Sequence, residues 1–509
     1  MKVFLIGAGP GDPGLLTLRG RDVLSTADVV VYDALANPAL LEHVRPDAEI
    51  VYVGKIADDH AMPQEQINAL LVRKASEGKT VARLKGGDPY IFGRGGEEAE
   101  ALVRADIPFE TVPGVSSTVA APACAGIPVT HRDACSSVVF VTGHENPEKG
   151  GSVHDWDALA RSGSTLVFVM GMRNLPSIAR NLIQAGLDPA TPAAVIHRGT
   201  TPRQRSCVAP LADIAEEARR TSCTNPSVVV VGKVVALRDS LNWFERRPLF
   251  GRSIVVTRAR EQASGLAADL SALGAEVVQF PTIEIVPLDD TTELDRAAEN
   301  CGGYAWVIFT SVNGVRHFWS SLGKAGKDGR ALAGCKVAAI GPATAEELAR
   351  KGIVADLVPP AYVAESVVEA LLAREGSSIA GMRILLPRAE KARDVLPEEL
   401  EAAGAKVDVV PAYRTVPATA RREEFLARLE EGAIDCVTFT SSSTVENFFS
   451  MVEPESIRSR PEILLAAIGP VTAKKLGDYG LTCGLMPDKF TIPALVEALT
   501  GHFSGKPRR

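Results

Sequence analysis

No two of the eight cysteines (positions 124, 135, 207, 223, 301, 335, 436 and 483) have CxxC spacing, and neither HExxH nor paired His/Cys spacing occurs among the 8 histidines. A metal site built by the protein is therefore not expected. Scattered thiols without a pairing framework suit a reducing compartment, so the expected location is the cytoplasm. No stretch approaches the roughly 20 apolar residues of a membrane span, and the apolar run after Lys2 leads straight into glycines, so neither a membrane anchor nor a signal peptide is expected. A net charge of -7 argues against a general nucleic-acid binder. No GK[ST] follows a glycine-rich turn, which disfavours Walker-type phosphate binding.

What is present is length and apolar content. The chain has 509 residues, 46% of them hydrophobic, enough for two to four domains with large cores. In the first half, β-rich runs (Val3–Ile6, Val29–Tyr32, Val81–Leu84, Val138–Thr142, Leu166–Met170 and Val228–Val231) alternate with helical stretches. That rhythm implies an α/β domain with largely parallel strands. The polar, basic stretch RDSLNWFERRPLFGR, Arg238 to Arg252, reads as an interdomain linker.

Three glycine-rich turns carry the chemistry of that half. VFLIGAGPGDPGLLTLRG begins like a nucleotide-binding strand and loop, but Asp12 stands three residues after Gly9, where the dinucleotide fingerprint needs glycine. A carboxylate there repels a pyrophosphate, so the loop suits a ligand without phosphates, one with a positive charge included; an ordinary strand-to-helix turn is the competing reading. In RLKGGDPYIFGRGGEEAE, Gly86 and Gly87 let backbone approach a ligand, and Asp88 is an acceptor for an ammonium or hydroxyl group. VPGVSSTVAAPACAGIPVTHR feeds Ser116 and Ser117 into a small-residue helix that suits a flat ligand or plain helix packing. Asp33 and Lys55 follow short strands and are candidates for proton transfer, with surface ion pairs as the alternative. Met170 follows a strand, and HRGTTPRQR is an arginine-bearing loop.

The second half is duplicated. Ser253–Pro287 matches Met382–Pro417, VIFTSVNGVRHF matches VTFTSSSTVENF, and KVAAIGPATAEEL matches LLAAIGPVTAKKL. Ser311 pairs with Ser441 at a shift of 130, and Gly341 with Gly469 at a shift of 128. Three blocks in one order imply two similar α/β lobes with a ligand cleft between them. Ser311, Asn313, Thr344, Ser441, Ser442 and Thr472 fall near expected helix N-termini. Such ends suit carboxylates or phosphates, although each hydroxyl alone is equally an ordinary cap.

GAGPGDPGLLTLRG, VVYDAL, DDHAMPQEQIN, RLKGGDPYIFGRGGEE, VPGVSS with AGIPVTHR, VTGH, VFVMG and GTTPRQR, in this order, resemble the uroporphyrinogen-III C-methyltransferase family over residues 1–245. The FTS and AIGPxTA blocks with PAYRT make residues 250–509 similar to uroporphyrinogen-III synthase. The resemblance implies a two-lobed tetrapyrrole methylase domain followed by a two-lobed, internally duplicated α/β synthase domain. The synthase lobes interleave, one from 250–284 with 415–509 and the other from 285–414.

By the same resemblance, S-adenosylmethionine is held by Pro10, Gly86, Gly87, Asp88, Ile91, Ser116, Ser117, Met170 and Gly199. Asp33 and Lys55 match the proton acceptor and donor, although Ile56 stands where the family commonly has arginine. Arg83, Arg94, Arg132 and Arg203 are candidates to meet the eight carboxylates of uroporphyrinogen III, with plain surface positions as the alternative. Methylation at C2 and C7 gives precorrin-2. In the synthase half, which needs no cofactor, hydroxymethylbilane closes with its last ring inverted. There Tyr413 assists hydroxyl departure, and Ser311, Thr344, Ser441 and Thr472 line the cleft. A homodimer through the first half is implied. Two rivals are another precorrin methylase fused to an inactive, tetrapyrrole-sensing domain, and a ligand-binding regulator, for which no basic DNA-binding segment is seen. A dehydrogenase-chelatase module is not expected, because no second glycine fingerprint with NAD spacing occurs.

Overall fold

A computed structural model describes residues 1–54, 62–144, 154–257, 260–281, 283–361, 364–392, 394–417 and 422–505. Lys55 lies outside them. The chain divides into two compact units: Met1–Ser253 with Asp269–Val277 and Thr500–Arg509, and Ile254–Ala268 with Val278–Leu499.

Among the described residues, the stretch Met1–Arg252 holds ten strands. They are β1 (Lys2–Gly7), β2 (Val29–Tyr32), β3 (Glu49–Tyr52), β4 (Thr80–Lys85), β5 (Phe109–Val112), β6 (Val138–Thr142), β7 (Thr165–Val169), β8 (Pro192–His197), β9 (Arg205–Pro210) and β10 (Ser227–Val231). β1 to β5 form one all-parallel sheet in the order β3-β2-β4-β1-β5. Its strands are covered on both faces, which is why β1 reads as a continuous apolar run. Val3 and Leu5 pack with Ile67 and Leu71 on one face, while Ile6 packs with Val23 and Leu24 on the other.

The second sheet, β6-β7-β10-β8-β9, departs from the expected parallel pattern. β6 and β7 run parallel, but β10 is antiparallel to both β7 and β8, and β9 is antiparallel to β8. β8 returns as a hairpin into the edge strand β9, and the helix Ile214–Arg220 then carries the chain back across β8 to β10. The stretch read as a linker is packed instead: Phe244, Leu249 and Phe250 are buried.

The second half carries β11 (Ser253–Val256), β12 (Glu276–Gln279), β13 (Ile283–Val286), β14 (Trp306–Phe309), β15 (Lys336–Ala339), β16 (Arg383–Ala389), β17 (Lys406–Pro417), β18 (Cys436–Phe439) and β19 (Leu464–Ala467). They form two sheets, β12-β11-β18-β19 and β13-β17-β16-β14-β15. In the larger one, Val307 and Phe309 pack into one core layer and Trp306 and Ile308 into the other. Each such buried side chain contributes about 1.5–3 kcal/mol. The duplication is visible in detail: Ala339 and Ala467 donate to Leu357 and Leu485, both at 2.9 Å, and Gly341 and Gly469 share an extended φ of -169° and -168°.

Candidate functional site

In the first unit the two foremost glycine loops bind each other. Gly9 and Gly87 exchange backbone hydrogen bonds of 3.2 and 2.7 Å. A Cβ on Gly7 would lie 2.4 Å from the Gly114 Cα, so glycine is required where the three loops converge. Asp88 stands at this crossing and is used by backbone. One oxygen accepts from the N–H of Tyr90 (2.8 Å) and Ile91 (3.2 Å), the other from the N–H of Gly114 (3.0 Å). Ser116 caps the helix Ser117–Cys124 by accepting from the Thr118 N–H at 3.3 Å.

Beside this crossing lies a cavity of about 470 Å³, within the range of small-molecule sites. Pro10, Ser117, Met170 and Gly199 line it together. Gly87 lies next to Ser116 and Ser117, and Gly86 packs against Leu35 of the cavity wall. Ile91 is exposed on the same turn as Asp88. Met170 and Arg198 adopt left-handed backbone, φ 57° and 47°, where a side chain costs about 1–3 kcal/mol; the strain coincides with the cavity rim. Ala121, Val169, Ile196 and Val228 offer an apolar wall for a flat heterocycle, while Ser117, Asn225 and Ser227 offer polar groups and Arg173 and Arg198 suit a carboxylate. This set fits an adenosyl group with a charged tail. Arg173 and Asn225 carried no sequence signal of their own; His144 closed the VTGH motif without a role assigned to it, and Arg198 sat in a loop that solvation alone explained.

Asp33 ends β2. One carboxylate oxygen accepts from the Arg83 Nη2 at 2.9 Å and the other from the Leu35 N–H at 3.1 Å. Arg83 itself is 3% exposed, and Glu98, at 0%, takes both Arg83 Nε (3.2 Å) and Lys85 Nζ (2.8 Å) on one oxygen. Burial, then the neighbouring Arg83 cation, lowers the pKa of Lys85. The other candidate arginines differ. Arg94 is exposed and forks onto Glu97 at 2.9 and 2.7 Å, Arg132 is exposed, and Arg203 pairs with Glu276 at 2.8 Å.

In the second half, Ser311 and Ser441 both cap helices: Ser311 accepts from the Gly314 N–H at 3.0 Å, and Ser441 from the Thr444 N–H at 3.2 Å. Only Ser311 also shares a 3.0 Å hydrogen bond with the Tyr413 hydroxyl. Tyr413 is 7% exposed, with His317 stacked beside it at 5.7 Å between ring centroids. Burial pushes its phenol pKa up, and the Ser311 bond offsets part of this. Thr344 and Thr472 are buried in the first turns of matching helices. Among the described residues no His/Cys/Asp/Glu group suits a metal ion, and no helix is long and apolar enough to cross a membrane.

Residues 2–215 match the family model "Tetrapyrrole (Corrin/Porphyrin) Methylases", and residues 264–497 match "Uroporphyrinogen-III synthase HemD". A "Porphyrin biosynthesis protein HemD" of Ruminiclostridium josui is 39% identical over 98% of this chain and 97% of its own. A "Uroporphyrinogen-III C-methyltransferase" of Bacillus subtilis is 43% identical over 70% of this chain and 73% of its own. An "S-adenosyl-L-methionine-dependent uroporphyrinogen III methyltransferase" of Methanosarcina barkeri is 53% identical over 47% of this chain and 94% of its own. The two halves are thus a tetrapyrrole methylase and a uroporphyrinogen-III synthase domain in one α/β chain. The chain belongs to the family of fused uroporphyrinogen-III C-methyltransferase and uroporphyrinogen-III synthase proteins.

Proposed function

We propose that the chain closes hydroxymethylbilane to uroporphyrinogen III in its second half and methylates that product at C2 and C7 in its first, yielding precorrin-2. The observation that carries the methylase assignment is the cavity shared by Pro10, Ser117, Met170 and Gly199. S-adenosylmethionine held there would supply a methyl group made electrophilic by its sulfonium. Gly86, Gly87, Asp88, Ile91 and Ser116 shape the loops around that group; Asp88 fixes them through its three backbone bonds. Orientation supplies much of the acceleration. Asp33 accepts the pyrrole N–H proton, and Lys55 is its acid partner. Arg94, Arg132 and Arg203 are offered to substrate carboxylates. The functional halves are residues 1–245 and 250–509, the latter with lobes 250–284 plus 415–509 and 285–414. The protein works as a cytoplasmic homodimer through its first half.

In the synthase half Tyr413 donates a proton to the departing hydroxyl. Ser311, Ser441, Thr344 and Thr472, at four helix N-termini, hold the acidic chain so that its last ring inverts. The test is incubation of the purified protein with hydroxymethylbilane and S-adenosylmethionine, with oxidised products identified by mass and isomer type. Dimethylated type III products are expected. Methylated type I products alone would remove the synthase activity, because the bilane then closes without inversion; unmethylated type III alone would remove the methylase.

A further inference from the structure

Arg83 occupies an unusual place for an arginine of a carboxylate-binding enzyme. β4 pairs with β2 so that Arg83 stands opposite Val31, two residues before Asp33. Val81, on the same face of β4, belongs to the core layer that the helices Gln64–Ser76 and Gly95–Arg104 cover. Arg83 is therefore inside the protein, where an unpaired guanidinium costs several kcal/mol. Its donors are spent on four partners. Nε meets Glu98 at 3.2 Å, Nη1 meets the carbonyls of Leu84 and Val31 at 3.1 and 3.5 Å, and Nη2 meets Asp33 at 2.9 Å. Glu98 is anchored in turn by Lys85 and by the Gln64 amide at 3.2 Å, while its second oxygen is buried without a partner among the described residues. Nε and Nη1 are held by Glu98 and the two carbonyls. One rigid N–H edge is left to reach forward to the carboxylate at the strand end.

We propose that Arg83 is a positioning residue for methyl transfer: it holds the Asp33 carboxylate in its reactive orientation, and Glu98 holds Arg83. This rests on Asp33 being the proton acceptor. Lysine at 83 keeps the charge but cannot bridge Glu98 and Asp33 at once, because it lacks the planar fork.

The experiment is single-turnover methylation of uroporphyrinogen III by Arg83→Lys, Asp33→Asn and the double variant, with Glu98→Gln alongside. Arg83→Lys is expected to slow the chemical step by on the order of 10²-fold, with the KM for S-adenosylmethionine within about twofold, the split expected when only transition-state positioning is lost. In the Asp33→Asn background it is expected to cause no further loss. Glu98→Gln slows the step in the same direction and supplies the same cycle with Asp33→Asn should Arg83→Lys fail to fold. A wild-type rate for Arg83→Lys, or an equal loss with and without Asp33, overturns the proposal while leaving Asp33 as the base. A wild-type rate for Asp33→Asn overturns the base assignment itself, and the proposal with it.

Discussion

Asp33 and Tyr413 belong to different units and are held in opposite ways. The carboxylate of Asp33 is a quarter exposed and is met by a buried cation and a backbone N–H. The phenol of Tyr413 is buried and, among the described residues, meets a neutral hydroxyl and the face of His317. Burial without a countercharge favours the neutral form of the phenol, whereas the carboxylate of Asp33 is oriented by two fixed donors. One environment suits a group that must be aimed, the other a group that still has a proton to give. What each residue can do is set less by its type than by what stands behind it.

The largest expected effect tests the charged side of this contrast. Asp33→Asn, which keeps the shape and removes the charge, is expected to slow methyl transfer by about 10³-fold, within the usual range for a lost general base, and to leave cyclisation of hydroxymethylbilane at the wild-type rate. Stopped-flow or quench assays of the two reactions on one preparation check both halves at once. Next comes the neutral side. Tyr413→Phe is expected to lower the rate of type III product formation by roughly 10²-fold with methyl transfer unchanged, and the ratio of type III to type I product reads the loss directly.

A finer test uses the duplicated lobes. Ser311→Ala and Ser441→Ala each remove one helix cap and should each lower stability by about 1 kcal/mol, seen as similar falls in Tm. Their kinetics should separate: Ser441→Ala raises KM for the bilane, whereas Ser311→Ala also lowers kcat, because Tyr413 loses its hydroxyl partner. Equal kcat for the two variants would remove the asymmetry on which the assignment of Tyr413 leans.

The smallest expected effect concerns the cavity wall. His197 ends β8, and its Nδ1 lies 2.7 Å from the Thr224 carbonyl oxygen, beside the Asn225–Val228 wall. Burial holds its pKa below the usual histidine value, against the Thr224 bond that raises it. The folded form therefore binds a proton less readily than the unfolded chain. Its contribution to stability is complete above about pH 6.5 and is lost as pH falls below that value. His197→Gln is expected to flatten the decline of Tm between about pH 7 and 5, and an unchanged slope would show that another group sets it.

Much of the architecture was legible because it is local. The runs at Val29–Tyr32 and Val138–Thr142 coincide with β2 and β6, and the serines before VNG and SST cap the helices they precede. Three strands of the first half were not legible. β9 carries exposed residues at a sheet edge, β8 begins with a proline, and β5 holds glutamate and threonine; each therefore resembles loop in a short window. Of the site, the glycine loops were visible as loops, but their main reason was not. Gly7 and Gly114 are small because backbone packs against backbone there, a contact between segments 107 residues apart, whereas Gly87 is glycine because its backbone is left-handed, φ 69°.

The sequence by itself determined the α/β class, the duplication and the pairing of two tetrapyrrole-family halves, because strand runs, caps and glycine turns depend on neighbours a few residues away. Long-range packing settled that the second sheet mixes directions, that Asp88 serves backbone donors, that Arg83 stands behind Asp33, and that Ser311 rather than Ser441 meets Tyr413. Each of these joins residues 26 to 102 positions apart. Such pairings are chosen by which faces bury their apolar surface together and by the need to pair every charge buried along with them, and neither condition is written in any single stretch of the chain.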